Sequence, residues 1–352
     1  MIVVVAAPAV SASAAPDSLG PVRCGQTLVR SVSLRSDLAG CPGGGLVIGA
    51  DNVTVNLNGH RVSTTATDTI GVDVGSHHGV TIRNGTISGF ATGIQLDGAQ
   101  HSRVSDVRLV DSVAGGILLV NSEHNTITAT HIFHTGADLN NSGILLYQSD
   151  RNRITSNVLT RNGDGIQLIR SSANVVVGNV SSDSGSGISL YDAANGNTIA
   201  KNVTNENSDT GILLDQHDDN NRIESNSASG NGFAGIGVGA SAGNQVIHNA
   251  ANHNLGAGIA VVDAATGTLV LGNTASSNGG TPPGCTPDCP LLNDGIYVDA
   301  AGTTLTRNSA HHNADLGIDA VASVVDGGRN RAIGNGNPAQ CTGVVCRPGT
   351  RD

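Results

Sequence analysis

The densest run of chemically capable side chains in this sequence is Asp215-Gln216-His217-Asp218, in which carboxylates flank an imidazole. Histidine gains or loses a proton near neutrality, so such a run has the ingredients for proton transfer. Other residues of the same kind stand at matching offsets upstream. Tyr147, Tyr191 and Asp215 each come four residues after a glycine that precedes isoleucine, and Gln148, Arg170, Asp192 and Gln216 come five after one. Gln167 lies two residues after such a glycine. A groove of Tyr, Gln, Arg and Asp suits an extended sugar chain: aromatic faces stack on pyranose rings, amides and carboxylates bond hydroxyls, and arginine grips a uronate carboxylate with two hydrogen bonds.

Those offsets matter only if a repeated element holds them in register. The glycine-isoleucine or glycine-valine pair recurs from Gly71-Val72 to Gly317-Ile318 at intervals of 22 to 24 residues, broken by one of 27 and one of 37. A period that regular means a solenoid, each coil touching only its neighbours. Each repeat runs from the glycine into alternating apolar residues, then a polar turn, a short Asn-x-Ile or Asn-x-Val strand, and asparagines five residues apart, as in Asn152, Asn157 and Asn162. Three short strands and three turns per coil are expected. The asparagines are expected at the corners, in the left-handed conformation and bonded to the same residue about 4.8 Å away on the next coil. The interior must be built from small and branched aliphatic residues, because aromatics make up 2% of the chain and tryptophan is absent. Insertions are expected as loops at Thr130 to Asp138 and at Thr281 to Pro290.

The repeat resembles the right-handed parallel β-helix of pectate-lyase-like proteins and of the periplasmic, copper-associated NosD-type proteins. The resemblance covers residues 45 to 330 and implies an all-β, three-sided solenoid of about a dozen coils. Asp215-Gln216-His217-Asp218 is similar to the Asp-Pro-His-Asp motif of β-helical mannuronan C5-epimerases, with Gln216 in place of proline. That likeness implies that His217 takes the proton alpha to a uronate carboxyl and that Asp215 orients it or helps hold a cation. Arg170 would neutralise the carboxylate, and Tyr191 would act from the opposite side as general acid, while Tyr147, Gln148, Gln167, Asp192 and Asp218 would bind substrate. Hydrolysis by paired carboxylates fits less well, since Asp164-Gly165 lacks the Gly-His-Gly and Arg-Ile-Lys strings of β-helical polygalacturonases.

Bulk properties narrow the class further. The net charge is -10 and Lys201 is the only lysine, so nucleic acid is not expected as a partner. Residues 1–15 read as a signal-peptide remnant, with an apolar run from Ile2 to Val10 and a small-residue site at Ala12-Ser13-Ala14. No segment reaches transmembrane length. Six cysteines in three close pairs fit an oxidising compartment, and Cys24–Cys41, Cys285–Cys289 and Cys341–Cys346 are the expected disulfides. The domain reading is a cap and first coil at 16–44, the helix at 45–330 and a C-terminal cap at 331–352. His78, His101 and His124 fall near one corner of consecutive coils, close enough in principle to share an ion, although such residues more often form solvated turns. Copper handling is disfavoured, with Met1 the only methionine. No metal site is assigned; calcium is the cation left open. A secreted monomer that binds or modifies an extracellular polysaccharide, a polyuronate foremost, is the expectation, with a non-catalytic cell-envelope or matrix scaffold as the rival.

Overall fold

The computed structural model describes residues 21–135, 141–280 and 293–347. The leader at 1–15, the Gly136-Ala137-Asp138 end of the first insertion and the Cys285–Cys289 staple lie outside the described residues. What is described is strands and turns, with no helix among them.

Three parallel sheets wind around one core. The first contains 13 strands, from Gln26–Leu28 to Ile318–Ala320, each coil adding one. A typical coil enters it at Ile188–Tyr191, turns into the second sheet at Thr198–Ala200 and into the third at Val203–Asn205, and returns to the first at Ile212–Asp215. Each strand pairs in register with the equivalent one a coil away, as Ile188 with Ile212 and Ile199 with Ile223. Thr81–Ser88 and Arg103–Val110 are long enough to run through the corner between the second and third sheets.

Period-two alternation explains which side chains enter. The residue after each repeat glycine, from Ile94 to Ile318, has no exposed surface and stacks on its counterpart in the next coil. The glycine itself is fixed by crowding. A Cβ on Gly211 would come within 2.6 Å of the Gly235 carbonyl oxygen and 2.7 Å of the Asn231 amide, so only a hydrogen fits.

The asparagines form the expected ladders, but by a different backbone. The left-handed residues are the ones just before them: Arg151, Ser156 and Arg161 have φ of 54°, 57° and 58°, and Asn152, Asn157 and Asn162 follow with their side chains buried. The turn places each asparagine inward, where its amide serves the neighbouring coil. Asn202 donates from its backbone N–H to Asn226 Oδ1 at 2.9 Å and from its side-chain amide to the same oxygen at 3.0 Å. Asn226 repeats the pattern onto Asn249. Each step satisfies buried groups that no strand reaches.

Two boundaries differ from expectation. Strand pairing runs from Gln26, within the cap and first coil, to Arg347, past 330, because the segment stapled by Cys341–Cys346 is itself paired to the solenoid. The first insertion also begins later than Thr130. His131–Phe133 is a third-sheet strand, paired with Arg108–Val110 on one side and Val158–Thr160 on the other.

Candidate functional site

The outward face of the first sheet brings together side chains that are far apart in sequence. Leu146, Leu190 and Leu214 point inward without exposed surface, so Tyr147, Tyr191 and Asp215, each one residue later on its strand, point outward. Register places Tyr147 beside Ile169, Ile169 beside Tyr191, and Tyr191 beside Asp215. The next residues, Gln148, Arg170, Asp192 and Gln216, all sit at a left-handed corner with φ between 49° and 68°. There the Arg170 guanidinium donates to the Tyr147 hydroxyl at 3.2 Å on one side and pairs with the Asp192 carboxylate on the other, spanning three coils. These bonds, Asp192 first, raise the Arg170 pKa.

Near Tyr191 lies a buried polar network. The Ser142 hydroxyl donates to Gln167 Oε1 at 3.0 Å, and the Gln167 amide donates to Asp164 Oδ2 at 3.3 Å. The Ser189 hydroxyl donates to that same Asp164 oxygen, while Ser186 N–H donates to Asp164 Oδ1 at 2.9 Å. Asp164, Gln167 and Ser189 are all under a tenth exposed. Burial raises the Asp164 pKa despite these donors, with Asp209 adding like-charge repulsion; Asp209 is raised by burial as well. Tyr191 is raised by burial and then by Asp164, Asp209, Asp215 and Asp218, so its phenol lies in the field of four carboxyl groups. A phenol held protonated in that way is a hydrogen-bond donor at any physiological pH.

Not every residue singled out by the sequence joins this group. Asp218 does not reach the groove. It has no exposed surface, and its carboxylate accepts Ala194 N–H at 2.7 Å and Asp215 N–H at 2.9 Å. It stands in a column that carries serine in other coils, where Ser149 and Ser171 bond the same way, so it holds the corner. Burial pushes its pKa up to about 7. Gln167 is likewise enclosed, touching Ser142 and Asp164 instead of solvent. His217 is exposed on the corner with φ of 68°, and its ring makes no hydrogen bond or ion pair with the described residues. Its backbone N–H donates to the Ala240 carbonyl at 3.0 Å. Gln148 is exposed and Asp192 and Asp215 partly so.

The structure adds two carboxylates to the group: Asp164, weighed in the sequence only for hydrolysis, and Asp209, which the sequence reading does not single out. The signal at Asp164 was positional: it directly precedes the repeat glycine, where neighbouring coils place Ser142, Ser186 and Thr210. A carboxylate among small hydroxyls marks a departure from the repeat. Asp209 stands one position earlier in its own coil. At the same corner, leading into the first sheet, lies a cleft of about 490 Å³ lined by Arg161, Gly163, Asp183, Glu206 and Ser208 among others.

Among the described residues, no three His, Cys, Asp or Glu side chains gather as ligands for one metal ion. His101 and His124 share a register and stack with ring centroids 5.1 Å apart. His78 does not join them, because Gly79 occupies the equivalent corner position and the histidine falls one residue early.

Comparison with known proteins agrees with the fold. Residues 34–180, 70–228 and 210–344 each match the family model described as the right-handed beta helix region. Among solved structures, the A-module of Azotobacter vinelandii mannuronan C-5 epimerase AlgE6 is 14% identical, with 93% of this chain and 91% of that chain covered at a TM-score of 0.57. The periplasmic alginate epimerase AlgG is 16% identical, covering 84% of this chain and 74% of that one at 0.56. The Dettilon tailspike protein gp208 is also 16% identical, over 90% and 60%, at 0.56. At such identities the likeness is one of fold alone. No curated protein matches the sequence.

Proposed function

This chain belongs to the right-handed β-helix family, and on that premise we propose that the outward face of its first sheet binds an extracellular polysaccharide as an extended chain. The observation that carries this reading is the bridge of Arg170 between Tyr147 and Asp192, with Tyr191 on the same face in the field of buried Asp164. It supplies partly exposed aromatic surface next to fixed donors and acceptors, the combination that recognises sugar rings and hydroxyls. Solved structures of the same fold carry names that include mannuronan and alginate epimerases. The disulfides Cys24–Cys41 and Cys341–Cys346 support an oxidising, extracytoplasmic setting. No helix among the described residues is long and apolar enough to cross a membrane.

The direct test is a panel of neutral, uronate and amino polysaccharides assayed for binding, with Tyr191→Ala and Arg170→Ala as controls. Binding that both variants weaken supports the reading. Absence of binding to every polymer leaves the scaffold role instead.

A second reading is modification of a polyuronate by proton abstraction, favoured by Asp215-Gln216-His217 lying one coil beyond Tyr191 and within the same face. In it His217 is the base, Asp215 turns to orient its ring once substrate is bound, Arg170 moves from Asp192 to the sugar carboxylate, and Tyr191 donates the proton. The exposed ring of His217, unbonded to any described residue, leaves it free to approach a substrate lying over the corner. Alginate and pectate are the polymers to test, read by unsaturated products and by epimerisation. Turnover unchanged in His217→Ala removes that residue as base.

A further inference from the structure

The first sheet carries a third tyrosine facing outward, far from the other two. Tyr297 lies between Ile296 and Val298, both buried in the core, and pairs with Ala260 on one side and Asp319 on the other. It is partly exposed. Carboxyl groups surround it as they surround Tyr191: after burial, Asp299, Asp319, Asp294 and Asp263 raise its pKa. Asp294 even repeats the role of Asp164, preceding its repeat glycine and accepting Leu316 N–H at 2.9 Å as Asp164 accepts Ser186 N–H.

Even numbers of coils separate the three tyrosines along the solenoid. From Tyr147 through Ile169 to Tyr191 is two coils, about 10 Å. From Tyr191 the strands run through Asp215, Gly239 and Val262 to the Tyr297 coil, four coils or about 19 Å. Two coils equal the rise of one disaccharide in an extended, equatorially linked glycan, which turns the same ring face to one side at every second sugar. Between the two clusters the outward positions Gly237, Gly239 and Ala260 carry no large side chain and are buried among neighbours such as Leu213 and Val262. A bulky side chain at those positions would block a rigid ribbon. Tyr297 is two positions nearer the strand start than Tyr191, a sideways offset of about 7 Å, so the track crosses the sheet obliquely.

We propose that Tyr297 is a distal subsite of one continuous track that takes an uncharged, linear, equatorially linked polysaccharide. The inference rests on the preceding reading that this face binds glycans. Charge selects the class: the outward residues around Tyr297 are Asp299 and Asp319, with Asp263 near, and a polymer of like charge is repelled there. Uncharged hydroxyls, in contrast, donate to those carboxylates while a ring stacks on the phenol.

The test uses cello- and chitin-oligosaccharides from the disaccharide to the octasaccharide, titrated calorimetrically against the full chain. Affinity rises with length up to the longest members. Tyr297→Ala lowers octasaccharide affinity about tenfold and leaves the trisaccharide unchanged, whereas Tyr191→Ala weakens every length. Tyr297→Phe, which keeps the ring, retains octasaccharide affinity within about twofold. An octasaccharide that binds Tyr297→Ala as tightly as the natural chain, while Tyr191→Ala still weakens it, overturns the distal subsite and leaves the glycan reading standing. Binding confined to alginate or pectate overturns the substrate class. Failure of every glycan to bind overturns both readings together.

Discussion

Two buried polar systems run along this molecule, and they differ in kind. In the asparagine ladders, each coil contributes the same side chain, and the amide of Asn202 meets that of Asn226 as Asn226 meets Asn249. In the network near Tyr191, each coil contributes a different one: Ser142, then Asp164 and Gln167, then Ser189. The ladder is a periodic solution to a periodic problem, since every corner leaves the same backbone groups to be satisfied. The network does more than satisfy the backbone: besides accepting the Ser186 N–H, it places a carboxyl group where burial raises its pKa. Uniformity marks structure here, and heterogeneity marks the face proposed as the site.

That contrast can be broken or sharpened by substitution. Asn226→Ala removes four hydrogen bonds in which its amide takes part and strands buried groups on both neighbouring coils, so unfolding should cost about 2–4 kcal/mol less in chemical denaturation, with glycan affinity unaltered. A loss of binding without a loss of stability would reverse the assignment of structure and site.

A second consequence concerns acid and base. Asp218 and Asp294 have folded pKa values pushed up to about 7 by burial, above the ordinary carboxyl value of 3.8. Between about pH 4 and pH 7 the unfolded chain therefore binds fewer protons than the folded one, and stability falls as pH rises through that window. Asp218→Asn should flatten part of the slope of melting temperature against pH. An unaltered slope means that the Asp218 carboxyl does not titrate there.

At the groove, Tyr191→Ala should weaken polysaccharide binding about tenfold while leaving the melting temperature close to that of the natural chain. The smallest effect is expected at His217→Ala. With the ring exposed and unbonded among the described residues, neither stability nor simple binding should shift, and only an assay of proton abstraction would register the change.

The glycine-isoleucine period alone made the fold legible, and equal offsets from it placed Tyr147, Ile169, Tyr191 and Asp215 side by side as the pairing shows. The offsets could not say how far each side chain reaches. Asp218 reads in sequence as half of a reactive string, yet it is a corner residue in a serine column, recognisable only when neighbouring coils are superposed. Asp164 reads in sequence only as an unaccompanied Asp-Gly, because its partner Ser189 lies in the following coil. The asparagines misled on one point for a related reason. Their type fits a left-handed turn, but here the amide is needed inside, and the residue before it takes the strained backbone instead.

That displacement of strain has a consequence for how such a chain changes over time. The left-handed corner positions hold Arg151, Ala173, Lys201, Glu206, Ser225 and His248, residues of every charge and size. An L-residue held there costs roughly 1–2 kcal/mol, and the ladder amide that follows offsets it whatever the side chain is. Surface identity is thereby uncoupled from foldability. The exterior can be rewritten position by position, one coil at a time, while the interior grammar stays the same, which makes the solenoid a chassis on which new binding faces can be drafted without redesigning the core.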